Sequence, residues 1–174
     1  MSYRVYKNLA SLNHLPLREA ENNLRDCCGS AEWARRMAAA RPFAMLDDLY
    51  RAAEKIWFSL PTADQLEAFA AHPKIGSKKA DAKQPAKSAD WSKSEQSGAA
   101  SATADVRDGL AECNRLYQDK FGFIFIVCAT GKTADEMLAI CRARLGNSVE
   151  TELRIAAAEQ AKITEIRLNK LLEA

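Results

Sequence analysis

Histidine is nearly absent from this chain: its 174 residues include two, His14 and His72. There is no H-E-x-x-H pair, so imidazole is too scarce to build a metal centre and none is expected. The cysteines, Cys27, Cys28, Cys113, Cys128 and Cys141, are odd in number and form no C-x-x-C. That argues against a disulfide framework or a structural zinc site and fits a reducing cytosol. A formal net charge of +2 supplies no basic field, so nucleic acid is not an expected partner. The longest apolar stretch, Phe121 to Ala129, is too short to span a bilayer. The opening Met1-Ser2-Tyr3-Arg4 lacks a signal peptide's apolar run, and the closing Leu171-Leu172-Glu173-Ala174 is not a peroxisomal tripeptide. The expectation is a soluble cytoplasmic protein with no membrane partner.

Several catalytic motifs are also missing. Ala129-Thr130-Gly131-Lys132-Thr133 resembles the end of a P-loop, but the required first glycine falls on Ile126. Without it the backbone cannot wrap a phosphate. No G-x-S-x-G elbow or Cys-His signature occurs, and Cys128 in its apolar run reads as an inert core thiol. His14, before Leu15-Pro16, reads as a polar residue in a turn.

What is present is helical periodicity. Leu46, Leu49, Tyr50, Ala53, Ile56, Trp57 and Leu60 recur at three- and four-residue steps, the spacing of an amphipathic helix. Thr62 with Gln65, Ser92 with Glu95, and Thr133 with Glu136 fit capping boxes at helix starts. Gly29 and Gly146 read as helix C-caps. The last helix is expected from about Ser148 to Leu172. Phe121-Gly122-Phe123-Ile124-Phe125-Ile126-Val127 alone looks like a strand. With no sheet to join, it is expected as a buried extended crossing near residues 121–129. The predicted fold is an all-α, single-domain helical bundle over residues 1–174.

The segment from His72-Pro73-Lys74-Ile75-Gly76 to Trp91-Ser92-Lys93-Ser94-Glu95-Gln96 carries the chemistry. Between Gly76 and Ser92 the sequence is polar and aperiodic, which predicts a long loop, uncommon in compact domains unless it acts on something or is disordered. Histidine titrates nearest neutrality, so His72 is a candidate proton-transfer group. Pro73 disfavours the helical region for His72, which places it at a corner where a helix ends. The competing reading is a histidine that merely meets a helix dipole. Ser92 and Glu95 have their own competing reading as a helix cap.

Four segments in order resemble one family. They are His72-Pro73-Lys74-Ile75-Gly76, Trp91-Ser92-x-x-Glu95-Gln96, Phe121-Gly122-Phe123-x-Phe125-Ile126 and Glu159-x-x-Lys162-Ile163-x-x-x-Arg167-Leu168, with Arg41-Pro42-Phe43 upstream. Together they resemble the signature of 2-oxo-4-hydroxy-4-carboxy-5-ureidoimidazoline decarboxylase, in what looks like its bacterial form. The resemblance implies an all-helical, cofactor-free, homodimeric enzyme that forms (S)-allantoin in urate breakdown. It also implies that His72 and Glu95 are catalytic and that Arg167 binds substrate. Pro73, Ser92 and Gln96 match pocket positions, and the backbone of Phe125, Ile126 and Val127 matches the pocket lining. From the residues alone, Arg167 borders an apolar stripe and could be a snorkelling surface residue, and Gln96 could be solvated.

The chemistry of that substrate explains why few groups suffice. The carbon bearing its carboxylate also bears a hydroxyl and adjoins a C=N bond, so the substrate carries its own electron sink. His72 would work on the hydroxyl and proton transfers, Glu95 would orient or charge the imidazole or bond the ureido N–H groups, and Arg167 would offer a planar fork to anionic oxygens. Two alternatives belong to other classes. One is another cofactor-free lyase or hydrolase of a purine-derived ring. The other is a non-catalytic helical adaptor docking through Lys74, Lys78, Lys79 and Lys83.

Overall fold

Helical periodicity carries through to the structure, a computed structural model that describes residues 3–75, 86–99 and 102–173. The helices are α1 (Tyr3–His14), α2 (Leu17–Cys28), α3 (Ala31–Ala39), α4 (Leu46–Phe58), α5 (Thr62–Ala70), α6 (Ala86–Glu95), α7 (Ala104–Phe121), α8 (Ala134–Arg144) and α9 (Val149–Glu173). A short 3-10 turn, Ser97–Ala99, follows α6. The fold is all-α, and no helix among the described residues is long and apolar enough to cross a membrane.

Local chemistry sets most helix boundaries. Thr133 and Glu136 form the expected reciprocal box, with the Glu136 carboxylate accepting the Thr133 N–H at 2.7 Å. Gly29 closes α2 with a φ of 93°, which only glycine adopts without strain. Ser148 caps α9 by accepting the Thr151 N–H at 3.2 Å. Other expectations need correction. Thr62 already lies inside α5, because the Pro61 carbonyl accepts the Gln65 N–H at 3.3 Å and Pro61 stands at the cap. Leu145, not Gly146, caps α8, and His14 is the last residue of α1 rather than part of a turn. The aperiodic stretch before Ser92, expected as loop, is helical from Ala86 onward, and residues 76–85 lie outside the described residues.

By its internal contacts the chain divides into two compact units, Met1–Ala68 with Ala161–Ala174, and Phe69–Gln160. In the first, Trp33, Met37, Leu49, Trp57, Leu168 and Leu172 are buried. The Trp33 indole N–H donates to the Ala53 carbonyl at 3.0 Å, so this large apolar side chain buries no orphaned donor. The corner at Arg41-Pro42-Phe43 is tied back to α1. Asn13 donates to and accepts from the Phe43 backbone, and Arg41 donates to the Leu12 and Leu15 carbonyls.

In the second unit the extended crossing is present but begins later than expected. Phe121 is the last residue of α7, and Gly122 turns the chain out with a φ of 79°. Residues 123 and 125–129 are buried without a strand partner. Tyr117, Phe123 and Phe125 pack edge to face, with centroids 5.3–5.7 Å from Tyr117. Cys113 of α7 and Cys141 of α8 form a disulfide, although the odd count of cysteines argued against a disulfide framework.

A buried ionic cluster holds α7, α8 and α9 around this crossing. Arg144 donates to the Glu152 carboxylate and, at 2.7 Å, to the Ile126 carbonyl. Glu152 also accepts from the Tyr117 hydroxyl and the Asn147 amide. Burial, and next the bond to Glu152, push the Tyr117 phenol far above its ordinary range, so it stays a donor. Removing one partner of such a pair strands the other charge. Arg144→Met should therefore cost about 3–5 kcal/mol in denaturant unfolding, and Arg144→Met with Glu152→Leu should recover a large part. A loss below about 1 kcal/mol for the single variant would mean that Glu152 is solvated rather than buried.

Candidate active site

Pro73 and the end of α5 fix the backbone of His72. The His72 N–H donates to the Phe69 carbonyl at 3.2 Å, two residues beyond the last helical residue. The expected corner is therefore real, although Gly76 lies outside the described residues. The imidazole leaves its own helix, and its Nε2 stands 2.7 Å from the side-chain oxygen of Gln160 on α9. Gln160 is completely buried. A buried amide without a partner would be costly, so this contact is a fixed point of the unit.

The competing reading of Ser92 and Glu95 as a helix cap is overturned. Ser92 is the seventh residue of α6 and 3% exposed, while Glu95 is the last residue of that helix. A carboxylate there faces the negative end of the helix dipole, the unfavourable end. Gln96 follows, its N–H donating to the Ser92 carbonyl and its side-chain amide reaching the Pro73 carbonyl at 3.4 Å. Gln96 is half-buried rather than freely solvated. Gly98 then permits a close approach, since a Cβ there would meet the Lys132 carbonyl oxygen at 2.1 Å.

The crossing completes the arrangement. Phe125, Ile126 and Val127 are buried. The Cys128 N–H donates to the Glu159 carboxylate at 2.7 Å, and the Lys132 ammonium donates to the Cys128 carbonyl at 2.8 Å. Burial pushes the Cys128 thiol up, Lys132 and the Thr130 backbone pull it down, and the charges of Glu159 and Glu95 push it further up. The thiol stays protonated, as expected of a core cysteine. Glu159 is thus bonded to this segment, and the charge of Glu95 reaches it. Within this unit His72, Pro73, Ser92, Glu95, Gln96 and the 125–127 segment are thus joined through named contacts or lie on elements so joined.

Arg167 belongs to the other unit and is 2% exposed, so it is not a snorkelling surface residue. Cys28 lies within reach of its charge. Burial pushes that thiol up to about 12, against the Ser30 backbone, the Thr164 hydroxyl and the Arg167 guanidinium, which pull it down. A neutral thiol thus lies within reach of a buried cation's charge.

Sequence reasoning assigned no role to Gln160 or Glu159. The available signal was the four-residue step of Glu152, Ala156 and Gln160, which puts two polar residues on the face that α9 buries. Among the described residues no group of three His, Cys, Asp or Glu is placed to hold a metal ion. Of the lysines in the adaptor reading, Lys74 is exposed and Lys78, Lys79 and Lys83 lie outside the described residues.

A family model described as OHCU decarboxylase, OHCU being 2-oxo-4-hydroxy-4-carboxy-5-ureidoimidazoline, matches residues 13–169. The chain belongs to the OHCU decarboxylase family. It is 44% identical over 156 residues to the uric acid degradation bifunctional protein TTL of Arabidopsis thaliana, covering 87% of this chain and 47% of that protein. It is 31% identical over 173 residues to the 2-oxo-4-hydroxy-4-carboxy-5-ureidoimidazoline decarboxylase of Amia calva, covering 96% of this chain and 94% of that protein. The chain thus spans about half the length of the Arabidopsis relative and about a third of two bifunctional relatives from Bacillus. A solved OHCU decarboxylase, crystallised in the presence of (S)-allantoin, superposes with a TM-score of 0.75 at 43% identity, covering 86% of this chain and 96% of that one.

The position of Glu95 has a measurable consequence. Removing its charge at the C-terminal end of α6 relieves about 0.3–1 kcal/mol of dipole repulsion. Glu95→Gln should therefore melt at the same temperature as the parent protein or slightly higher. A drop of several degrees would show that Glu95 holds the fold together.

Proposed function

We propose that this chain is a carboxy-lyase that converts OHCU to (S)-allantoin in urate breakdown. On this reading residues 1–174 act as one domain, in the cytoplasm, as a homodimer and without a cofactor. The observation that carries it is the corner at His72, whose ring meets a buried amide, with Glu95 at the C-terminal end of α6, against its helix dipole. The related enzyme crystallised with (S)-allantoin supports a small heterocycle as the ligand.

The bond changes require little of the protein. Cleavage of the carbon–carboxylate bond moves its electron pair into a new C=C bond with the neighbouring ring carbon. The imine pair moves onto nitrogen, which takes a proton, and carbon dioxide leaves. The enol then becomes a carbonyl as the hydroxyl proton departs and the ring carbon gains a proton on one face. We assign the hydroxyl proton to His72 and the support of its imidazolium to Glu95. Pro73, Ser92, Gln96 and the 125–127 backbone would line the pocket. Arg167 would bind the substrate through its planar fork. That fork helps the rate only on an oxygen whose charge persists or grows, because the carboxylate charge disappears as carbon dioxide forms.

The test is turnover of freshly generated OHCU, followed by the circular dichroism of the allantoin formed. Because the substrate holds its own electron sink, turnover is expected to survive exhaustive chelation and dialysis. His72→Gln and Glu95→Gln should each lose at least about a hundredfold in kcat. Racemic product at the uncatalysed rate, or activity returning only with an added divalent metal, would end this reading.

Arg167 is probed separately. Lysine keeps the charge but loses the two-point fork, so Arg167→Lys should lower kcat/KM by about tenfold or more while the protein stays folded. Unchanged kinetics would make Arg167 a structural cation only.

A further inference from the structure

His72 is held at both ends. Its main chain is fixed by the Phe69 carbonyl and by Pro73, and its ring meets the Gln160 side-chain oxygen through Nε2 at 2.7 Å. An amide oxygen can only accept a hydrogen bond, so its partner nitrogen must carry the proton. In a neutral imidazole one nitrogen carries the proton and the other is basic, and the bond made by the first decides which is which. Gln160 is well suited to enforce that choice. It is completely buried, on the same face of α9 as Glu152 and Ala156, which are also completely buried. That half of α9 is braced on either side of Ala156 by the Glu152–Arg144 pair and by the Glu159 bond to the Cys128 N–H.

We propose that Gln160 is a positioning residue that accepts the Nε2–H of His72, holds the neutral ring in the Nε2–H tautomer and makes Nδ1 its proton-accepting atom. This rests on the decarboxylase reading only for its catalytic consequence. In that reaction Nδ1 takes the hydroxyl proton as the enol becomes a carbonyl. The imidazolium then carries one proton on each nitrogen, the Nε2–H still donated to Gln160. Nδ1 later returns its proton to water. The imine nitrogen and the ring carbon each gain a proton and the hydroxyl loses one, so one proton is taken up for each carbon dioxide released. Gln160 touches no reacting atom in this scheme. Its effect is on which nitrogen is basic.

The chain's two histidines make a direct test practical. Long-range proton–nitrogen correlation spectra of protein labelled with 15N-histidine distinguish the two tautomers, and the His72→Gln spectrum assigns the signals. The expected result is a neutral His72 protonated on Nε2. Gln160→Leu should give a mixture of tautomers and lose about tenfold to hundredfold in kcat, part of what base catalysis supplies, with KM changed less than about threefold. Gln160→Glu presents only acceptors, so it should restore the Nε2–H tautomer. A neutral His72 protonated on Nδ1 in the parent protein would overturn the proposal. So would a folded Gln160→Leu variant with full kcat or an unchanged tautomer. If neither variant folds, the parent spectrum alone decides. A parent protein that shows the Nε2–H tautomer yet does not turn over OHCU would refute the decarboxylase reading and leave the tautomer lock standing.

Discussion

Residues 123 and 125–129 are buried with no sheet to satisfy their backbone, and the second unit is organised around that constraint. An unpaired buried N–H or C=O costs roughly as much as a lost hydrogen bond, so each needs a partner from outside regular structure. Arg144 supplies one for the Ile126 carbonyl, Glu159 for the Cys128 N–H and Lys132 for the Cys128 carbonyl. Arg144 can be buried because Glu152 neutralises it, and Glu152 because Tyr117, Asn147 and Arg144 donate to it. The ionic cluster therefore follows from the irregular backbone. A helical continuation would have satisfied itself and required none of these charges. What the irregular segment provides is peptide groups at defined positions, such as the Cys128 N–H on Glu159, which a helix would have kept in its own ladder.

Much of the helical architecture was legible because helices announce themselves locally. The three- and four-residue steps of Leu46 to Trp57 give α4, and the Thr133–Glu136 box marks the start of α8. Local signals failed where they were short. Ser92 and Glu95 have the spacing of a cap, yet they lie within and at the end of α6, whose sequence Ala86–Glu95 has too little apolar periodicity to reveal a helix. The disulfide between Cys113 and Cys141 could not be read from an odd count of cysteines, because pairing depends on α7 meeting α8.

The candidate site was legible in part. His72 was marked by Pro73 and by the scarcity of histidine, and its place beyond a helix end follows from the proline. Gln160 was illegible because a glutamine on a long helix is ordinarily solvated, and only the packing of α9 turns it inward. Arg167 shows the same limit from the other side. Its position bordering an apolar stripe fits a surface cation as well as a buried one, and burial in the fold decides between them.

Each of these polar groups costs stability, and their distribution follows the demands of the proposed reaction. A substrate with its own electron sink needs orientation and controlled proton movement more than strong electrophilic assistance. Orientation would call for groups whose donors and acceptors are fixed before the substrate arrives, and the Gln160 amide is buried in that manner. Proton movement calls for a group that can change charge, which full burial would oppose by penalising the charged form. His72 and Glu95 are only half-buried, whereas Gln160, Ser92 and Arg167 are almost wholly enclosed. The groups proposed to move protons therefore keep access to solvent, while those proposed to hold their charge and direction are buried.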